Sequence, residues 1–128
     1  MNIDVVLDTN VVLYLLRANE RWLRIVEELH PRVVGVSAMT FMEVEMGIMT
    51  ESEQNVSDRF FSEAVIIPVH ESIARTATMF LRERSRSLRS PHLADAIIAA
   101  TAAELGIPIL TNNPKDFKRF PGVKAISA

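Results

Sequence analysis

Short runs rich in Val and Ile alternate along this chain with longer segments of helical spacing, and this alternation limits the possible folds more than any other feature. The clearest helical spacing, in residues 71–85, brings Ile73, Ala77 and Phe80 onto one face. A strand–helix–strand order predicts right-handed crossovers and a mainly parallel sheet that helices cover on both faces. We therefore expect a three-layer α/β sandwich with about five strands, at residues 3–7, 32–36, 65–69, 107–110 and 123–126.

Length and composition favour a single domain spanning residues 1–128. Hydrophobic residues make up 48% of the chain and charged residues 23%, which is typical of a globular protein. No apolar stretch approaches the roughly 20 residues that cross a bilayer, no secretory leader is visible, and cysteine is absent. These features predict a cytoplasmic protein without a membrane span, a disulfide or a thiolate metal site. The net charge of −2 means that any nucleic-acid role depends on local basic patches or on metal ions.

A capped apolar helix is predicted between Ser90 and Gly106. Ser90 suits the N-cap, Pro91 the first helical position, and Gly106 a left-handed C-terminal stop. The body of this helix is Leu, Ile and Ala on nearly every side, so we expect it to be buried. Asp95 lies within this apolar cylinder, where a carboxylate costs several kcal/mol unless it is paired or binds a cation.

Two further acids occupy positions where a carboxylate is unexpected. Asp8 directly follows the first apolar strand, in "IDVVLDTN". Glu43 lies on a helix that is predicted to start from an N-cap at Ser37 and to run to about residue 49. Glu45 lies two positions further along the same helix, and periodicity alone does not choose between the two glutamates.

Parallel α/β sheets bring strand C-termini and helix N-termini to one edge, where ligands bind. Asp8, Glu43 and Asp95 are all placed near that edge, so we expect them to converge. Repulsion among three acids favours a cation between them, and hard oxygen ligands without His or Cys suit Mg²⁺ or Mn²⁺. The three acids therefore predict a metal site.

The segment "ILTNNPKDFKRF", residues 109–120, follows a strand and belongs to the same edge. Thr111 is suited to orienting a carboxylate, Asn113 offers a neutral oxygen ligand, and Asp116 offers a charged one. The alternative interpretation is a turn built on Asn-Asn-Pro. Positive charge near a bound polyanion would come from the basic residues of this segment, Lys115, Lys118 and Arg119.

A basic patch, "RERSRSLRS", occupies residues 82–90. One interpretation is a solvated helix end, where arginines suit the negative C-terminus of the helix. The other is a surface that contacts phosphates. Both interpretations remain open for the four arginines of this patch, Arg82, Arg84, Arg86 and Arg89.

With these stretches assembled, the sequence resembles the PIN-domain family, and within it the VapC-type toxins of toxin–antitoxin pairs. The matching pieces are "VVLDTNVVLYLL", "VSAMTFMEVEMG", "LADAIIAATAAELGIPILTNNPKDF" and "FPGVKAIS", in the family's order over nearly the whole length. The resemblance implies a ribonuclease whose acids bind one or two Mg²⁺ or Mn²⁺ ions. Carried over by position, the metal-binding and catalytic acids are Asp8, Glu43 and Asp95, which favours Glu43 over Glu45.

The family often has a fourth acid in a Thr-x-Asp segment, where this chain has Asn113. The resemblance therefore leaves open whether Asn113 or Asp116 is a fourth ligand, or whether a single metal suffices. The family's polar residues that hydrogen-bond to the acids correspond here to Thr9, Asn10, Ser37, Thr40 and Thr111.

The resemblance implies metal-assisted hydrolysis of RNA phosphodiesters, with structured RNA such as tRNA as the substrate. It also implies a cognate VapB-type antitoxin and a homodimer. The Met-rich stretch of Met39, Met42, Met46 and Met49 is suited to a partner surface, although a plain core is the more common use of such a stripe. The alternative function is a catalytically weak PIN-fold module that binds RNA or protein. Receiver and paired-Asp phosphatase domains fit poorly, because Asn10 stands where the phosphatase's second Asp is needed.

Overall fold

The computed structural model describes residues 2–84 and 93–127. Its sheet has five strands in the order β3-β2-β1-β4-β5, and every pairing is parallel. This confirms the predicted five-stranded parallel sheet. The strands are β1 (Val5–Leu7), β2 (Val34–Ser37), β3 (Val65–Ile67), β4 (Ile109–Leu110) and β5 (Ala125–Ile126).

The strands are shorter than their apolar runs predicted, for local reasons that the structure shows. The carboxylate of Asp4 accepts the backbone N–H groups of Arg32 and Val33, at 2.7 and 2.9 Å, so these two amides do not donate to a strand. Strand β3 stops at Ile67 because Pro68 has no N–H to donate.

The described residues form six α-helices. The caps follow standard chemistry: the side chain of Asn19 accepts from the N–H of Trp22, and that of Thr50 from the N–H of Glu53. The helices are α1 (Thr9–Leu16), α2 (Glu20–Leu29), α3 (Ala38–Met46), α4 (Glu51–Glu63), α5 (Glu71–Arg84) and α6 (Leu93–Leu105). None of them is long and apolar enough to cross a membrane.

Two apolar clusters lie on opposite faces of the sheet. Val6 belongs to the cluster under α5 and α6, whereas its neighbours Val5 and Leu7 belong to the cluster that contains α1 residues, Trp22 of α2 and Phe61 of α4. Because successive side chains of a strand point to opposite faces, the sheet is covered on both sides. The predicted three-layer sandwich is confirmed.

Two of the predicted helices can be compared with the structure in detail. In α5, Ile73, Ala77 and Phe80 are buried together, as their spacing predicted. In α6, Gly106 adopts a positive φ of 66° and ends the helix as predicted, while Ser90 and Pro91 lie outside the described residues.

The prediction that α6 is buried on nearly every side is wrong at its ends. The stretch from Ala96 to Ala102 packs against the sheet and α5, but Leu93 and Leu105 are exposed. Asp95 is half-buried rather than buried, because it lies in the first turn, before the closely packed stretch.

Candidate active site

Asp8 lies where β1 ends, and both oxygens of its buried carboxylate are held. Oδ1 accepts from the backbone N–H of Thr9 at 2.8 Å, which makes Asp8 the N-cap of α1. Oδ2 accepts from the hydroxyl of Thr111 at 2.8 Å, directly after β4. The neighbouring parallel strands β1 and β4 therefore deliver Asp8 and Thr111 to the same sheet edge, as predicted.

Thr9 joins Asp8 to Glu43. While its N–H binds Asp8, its hydroxyl donates to Oε1 of Glu43 at 2.7 Å. The hydroxyl of Thr40 lies 3.0 Å from that of Thr9, and Thr40 is fully buried on α3. Two of the three acids, Asp8 and Glu43, are thus linked through one threonine that belongs to α1.

The structure also separates the two glutamates that periodicity left unresolved. Glu43 points to α1, whereas Glu45 points to α4, where it accepts hydrogen bonds from Gln54 and Ser57. Glu43 is therefore the glutamate that faces Asp8, which agrees with the position indicated by the family resemblance.

The segment after β4 forms a chain of hydrogen bonds that starts at Asp8. Thr111, which donates to Asp8, accepts from the backbone N–H of Asn113 at 3.0 Å. The side-chain amide of Asn113 donates to Oδ2 of Asp116 at 2.8 Å. A 3₁₀ turn at Pro114–Asp116 confirms the predicted Asn-Asn-Pro turn. Asn113 therefore uses its amide to hold Asp116.

Burial raises the pKa of Asp8 above its ordinary value of 3.8, and this is the largest influence on it. The hydrogen bonds from Thr111 and Thr9 oppose that rise, in this order of size, by stabilising the charged form. The negative charges of Glu43 and Asp116 raise the pKa further. Among the described residues, the charged groups that act on Asp8 are thus both carboxylates. A cation would stabilise this cluster of negative charge.

Asp95 lies in the first turn of α6, a helix that contacts β1, β2 and α3. Within residues 2–84 and 93–127, however, no three or more His, Asp or Glu side chains are spaced so as to hold a metal ion together. The donor chemistry of Asp8, Glu43 and Asp116 fits a hard divalent cation, because all three offer carboxylate oxygens and two of them act unfavourably on the third. The ligand assignment, including Asp95, stays a prediction.

The remaining polar residues of the predicted site have different positions. Ser37 is buried and caps α3, since its Oγ accepts from the N–H of Met39 at 3.0 Å. Asn10 is exposed in the first turn of α1. The capping role of Asp8 was missed in the sequence, although an Asp directly before a helical pattern is a recognised N-cap signal. The side-chain amide of Asn112, which donates to the Tyr14 hydroxyl at 3.4 Å, had no sequence signal.

Comparison with known proteins decides the family. Residues 5–123 match the PIN domain. The chain belongs to the PIN-domain family. It is 33% identical over 91 residues to Ribonuclease VapC19 of Mycobacterium tuberculosis. The aligned region covers 71% of this chain and 72% of that relative. It is 25% identical over 122 residues to the tRNA(fMet)-specific endonuclease VapC of Salmonella typhimurium, which covers 92% of both chains.

A solved structure supports the same family assignment. A chain of a toxin–antitoxin complex from Klebsiella pneumoniae superposes with a TM-score of 0.78 at 29% identity, over 94% of this chain and 95% of the other. The relatives named VapC place this protein among the VapC-type PIN domains.

The basic residues that the sequence predicts to contact a polyanion fall into two groups. Lys115, Lys118 and Arg119 are exposed in the segment that carries Asp116. Arg82 is exposed near the end of α5, and Arg84 is the last residue of that helix. The Arg84 side chain, Arg86 and Arg89 lie outside the described residues, and so does the rest of the predicted patch after Arg84.

Of the two interpretations of the Met-rich stretch, plain core is wrong for three of its four methionines. Met42, Met46 and Met49 are 50%, 84% and 89% exposed, whereas Met39 is half-buried. The buried residues of α3 are Thr40 and Val44, and Met42 and Met46 lie at other positions around this short helix. Beside them, a groove of about 420 Å³ opens between α1, α3 and α4, and Glu43 lies in its lining.

Proposed function

We propose that this VapC-type PIN-domain protein is a metal-dependent endoribonuclease that acts as the toxin of a toxin–antitoxin pair. The observation that carries the proposal is the link from buried Asp8 through Thr9 to Glu43 at the carboxyl edge of the sheet. Two relatives named as a ribonuclease and a tRNA(fMet)-specific endonuclease support RNA hydrolysis as the reaction.

In this proposal, Asp8, Glu43 and Asp95 hold one or two Mg²⁺ or Mn²⁺ ions. Between the two candidates for a fourth ligand, we favour Asp116, because it is a charged carboxylate whose charge acts on Asp8. A bound ion would supply Lewis-acid activation of water and stabilisation of charge on the phosphate.

In this proposal, residues of the chain itself orient the catalytic acids and bind the RNA. Thr9 fixes Glu43 relative to Asp8, and Thr111 fixes the second oxygen of Asp8. Lys115 and Lys118, exposed beside Asp116, bind phosphates of the RNA backbone. Arg82, Arg84, Arg86 and Arg89 would extend this contact.

The substrate and partners in the proposal follow the relatives. We take the substrate to be a structured RNA such as tRNA, since the Salmonella relative is named for tRNA(fMet). A VapB-type antitoxin is the proposed regulator, supported by the Klebsiella toxin–antitoxin complex. We further propose a homodimer that acts in the cytoplasm, where tRNA is found.

The test is cleavage of a total tRNA pool by purified protein with Mg²⁺ or Mn²⁺, with EDTA, and with Asp8→Asn. We expect discrete fragments that require the metal and fall by at least about a hundredfold in the variant, because the reaction loses a charged group at its centre. Circular dichroism of Asp8→Asn checks that the fold is retained.

The second candidate function is a PIN-fold module that binds RNA without cleaving it, and it is favoured by the neutral Asn113 at the position of the family's fourth acid. This alternative predicts intact RNA under every condition and RNA association that does not respond to Mg²⁺. Intact RNA from folded protein free of antitoxin would therefore reject the nuclease proposal in favour of binding.

A further inference from the structure

The two glutamates of α3 tie this helix to two different neighbours. Glu43 accepts from Thr9 of α1 at 2.7 Å. Glu45 accepts from the Ser57 hydroxyl of α4 at 2.9 Å, and Nε2 of Gln54 lies 3.2 Å from each of its two oxygens. Residues two positions apart lie about 200° apart around an α-helix, so the two ties act on opposite sides of α3.

Helix α3 meets α4 through apolar and polar contacts. The ring of Phe41 packs edge-to-face on that of Phe61 of α4, with centroids 4.9 Å apart. In the C-terminal half of the helix Val44 is buried, while Met42 and Met46 face solvent. A charge-assisted hydrogen bond is stronger and more directional than a neutral one, so the bonds of Glu45 add an orientational restraint to this apolar contact.

The partners of Glu45 are themselves fixed. Ser57 is 1% exposed, and Gln54 also donates to Oδ1 of Asp58 at 2.8 Å. Helix α4 packs against α1, α3 and β3. Through Glu45, α3 is joined to α4 on the side away from Glu43.

We infer that Glu45 is a positioning residue: it holds α3 against α4 in the orientation that presents Glu43 to Thr9 and Asp8. The inference rests on the proposed ribonuclease function for its effect on the reaction. Its structural part, the attachment of α3 to α4, can be measured without any activity. Glu45 has no part in contacting the RNA.

The first measurement is hydrogen exchange of backbone amides by mass spectrometry. In Glu45→Ala we expect exchange in residues 38–46 of α3, and in residues 52–60 of α4 that face it, to become roughly tenfold faster, because the charge-assisted hydrogen bonds that join the two helices are lost. Glu45→Gln should keep near wild-type exchange, since an amide offers an oxygen acceptor to Ser57 and Gln54. Ser57→Ala should change exchange in the same direction as Glu45→Ala.

The second measurement is the steady-state cleavage of the tRNA that the wild-type protein cuts in the tRNA pool. In Glu45→Ala we expect kcat to fall about tenfold while KM stays within about twofold, because Glu43 is misplaced and the RNA contacts are intact. Glu45→Gln should restore at least half of kcat, which a general loss of folded protein would not predict. Glu63→Ala removes an exposed charge at the far end of α4 and should leave kcat, KM and exchange unchanged.

The outcomes distinguish a failure of the proposed ribonuclease function from a failure of the positioning role of Glu45. Wild-type protein that cleaves no RNA would reject the proposed function, and exchange would still decide whether Glu45 attaches α3 to α4. Unchanged exchange in Glu45→Ala, or a loss of kcat that Glu45→Gln does not rescue, would overturn the positioning role.

Discussion

The hydroxyl of Thr9 donates to Oε1 of Glu43 across 2.7 Å, while the backbone N–H of the same residue donates to Oδ1 of Asp8 across 2.8 Å. One residue thus sets the relative positions of two acids that lie 35 positions apart in the sequence, as residues 8 and 43. A substitution at Thr9 can remove the side-chain hydrogen bond to Glu43 but not the backbone hydrogen bond to Asp8. The effect of positioning Glu43 can therefore be tested separately.

We predict that Thr9→Val lowers kcat about tenfold, because valine keeps the shape of threonine but leaves Glu43 without its hydrogen bond. Thr9→Ser keeps the hydroxyl and should retain most of the activity. The two variants are compared by initial rates on the same RNA, after equal folding has been verified by circular dichroism. Equal rates for Val and Ser would show that this hydrogen bond does not orient Glu43.

Asp8→Asn should change the pH dependence of stability. The pKa of Asp8 in the folded protein lies above 3.8, chiefly because of burial, so the folded state binds more protons than the unfolded chain just above that pH. The stabilisation from protonated Asp8 is fully present below pH 3.8 and is lost as the pH rises through the folded-state pKa of Asp8. Asn cannot ionise, so the variant avoids this loss and should be more stable than wild type at neutral pH.

Urea unfolding at a series of pH values measures this difference directly. The control is Glu63→Gln, which removes one negative charge from an exposed position of α4. If the difference in free energy of unfolding between wild type and Asp8→Asn were the same at acid and neutral pH, this result would contradict the raised pKa of Asp8.

Thr111 is fully buried, donates to Oδ2 of Asp8 and accepts from the N–H of Asn113. Thr111→Val leaves both of these groups without that partner and should lower the free energy of unfolding by about 1–3 kcal/mol. Because the Thr111 hydrogen bond lowers the pKa of Asp8, its loss raises that pKa further, and the destabilisation should be larger at neutral than at acid pH. Thr111→Ser is the matched control, and denaturant titrations at both pH values are the measurement.

Much of the fold was predictable because strand and helix periodicities are local properties. The runs around Val6, Gly35 and Ile109 each indicated a strand, and their Val- and Ile-rich character indicated a parallel sheet buried on both faces. The strand ends were less predictable, because they depend on partners far away in sequence. Asp4, for example, removes the amides of Arg32 and Val33 from the ladder.

The site was predictable to the extent that it depends on strand ends. Asp8 and Thr111 each follow a parallel strand, so their meeting at one edge follows from the topology. The choice between Glu43 and Glu45 could not come from periodicity, because it depends on where α1 and α4 pack around α3. The choice between core and surface for Met46 could not come from the sequence for the same reason: helical spacing defines a face but not the element that covers it.

The fourth-ligand question can be tested by metal binding alone. We predict that Asp116→Asn weakens Mn²⁺ binding about tenfold, because it removes a carboxylate whose charge acts on Asp8. Asn113→Ala should change the affinity by less than about threefold, since it removes only a group that holds Asp116. Isothermal titration calorimetry on folded protein is the measurement. A larger effect from Asn113→Ala than from Asp116→Asn would instead assign the ligand to Asn113.

Lys115 and Lys118 are exposed on either side of the turn that carries Asp116, so a phosphate bound near that carboxylate lies within reach of their charges. Replacing both by Ala should raise KM for RNA, leave kcat nearly unchanged, and lower the slope of log KM against log salt by about 0.7 to 0.9 per lost phosphate contact. The matched control is Lys124→Ala, an exposed lysine just before β5. Kinetics at several salt concentrations are the measurement, and an equal slope in the double variant and the control would exclude these lysines from the RNA-binding surface.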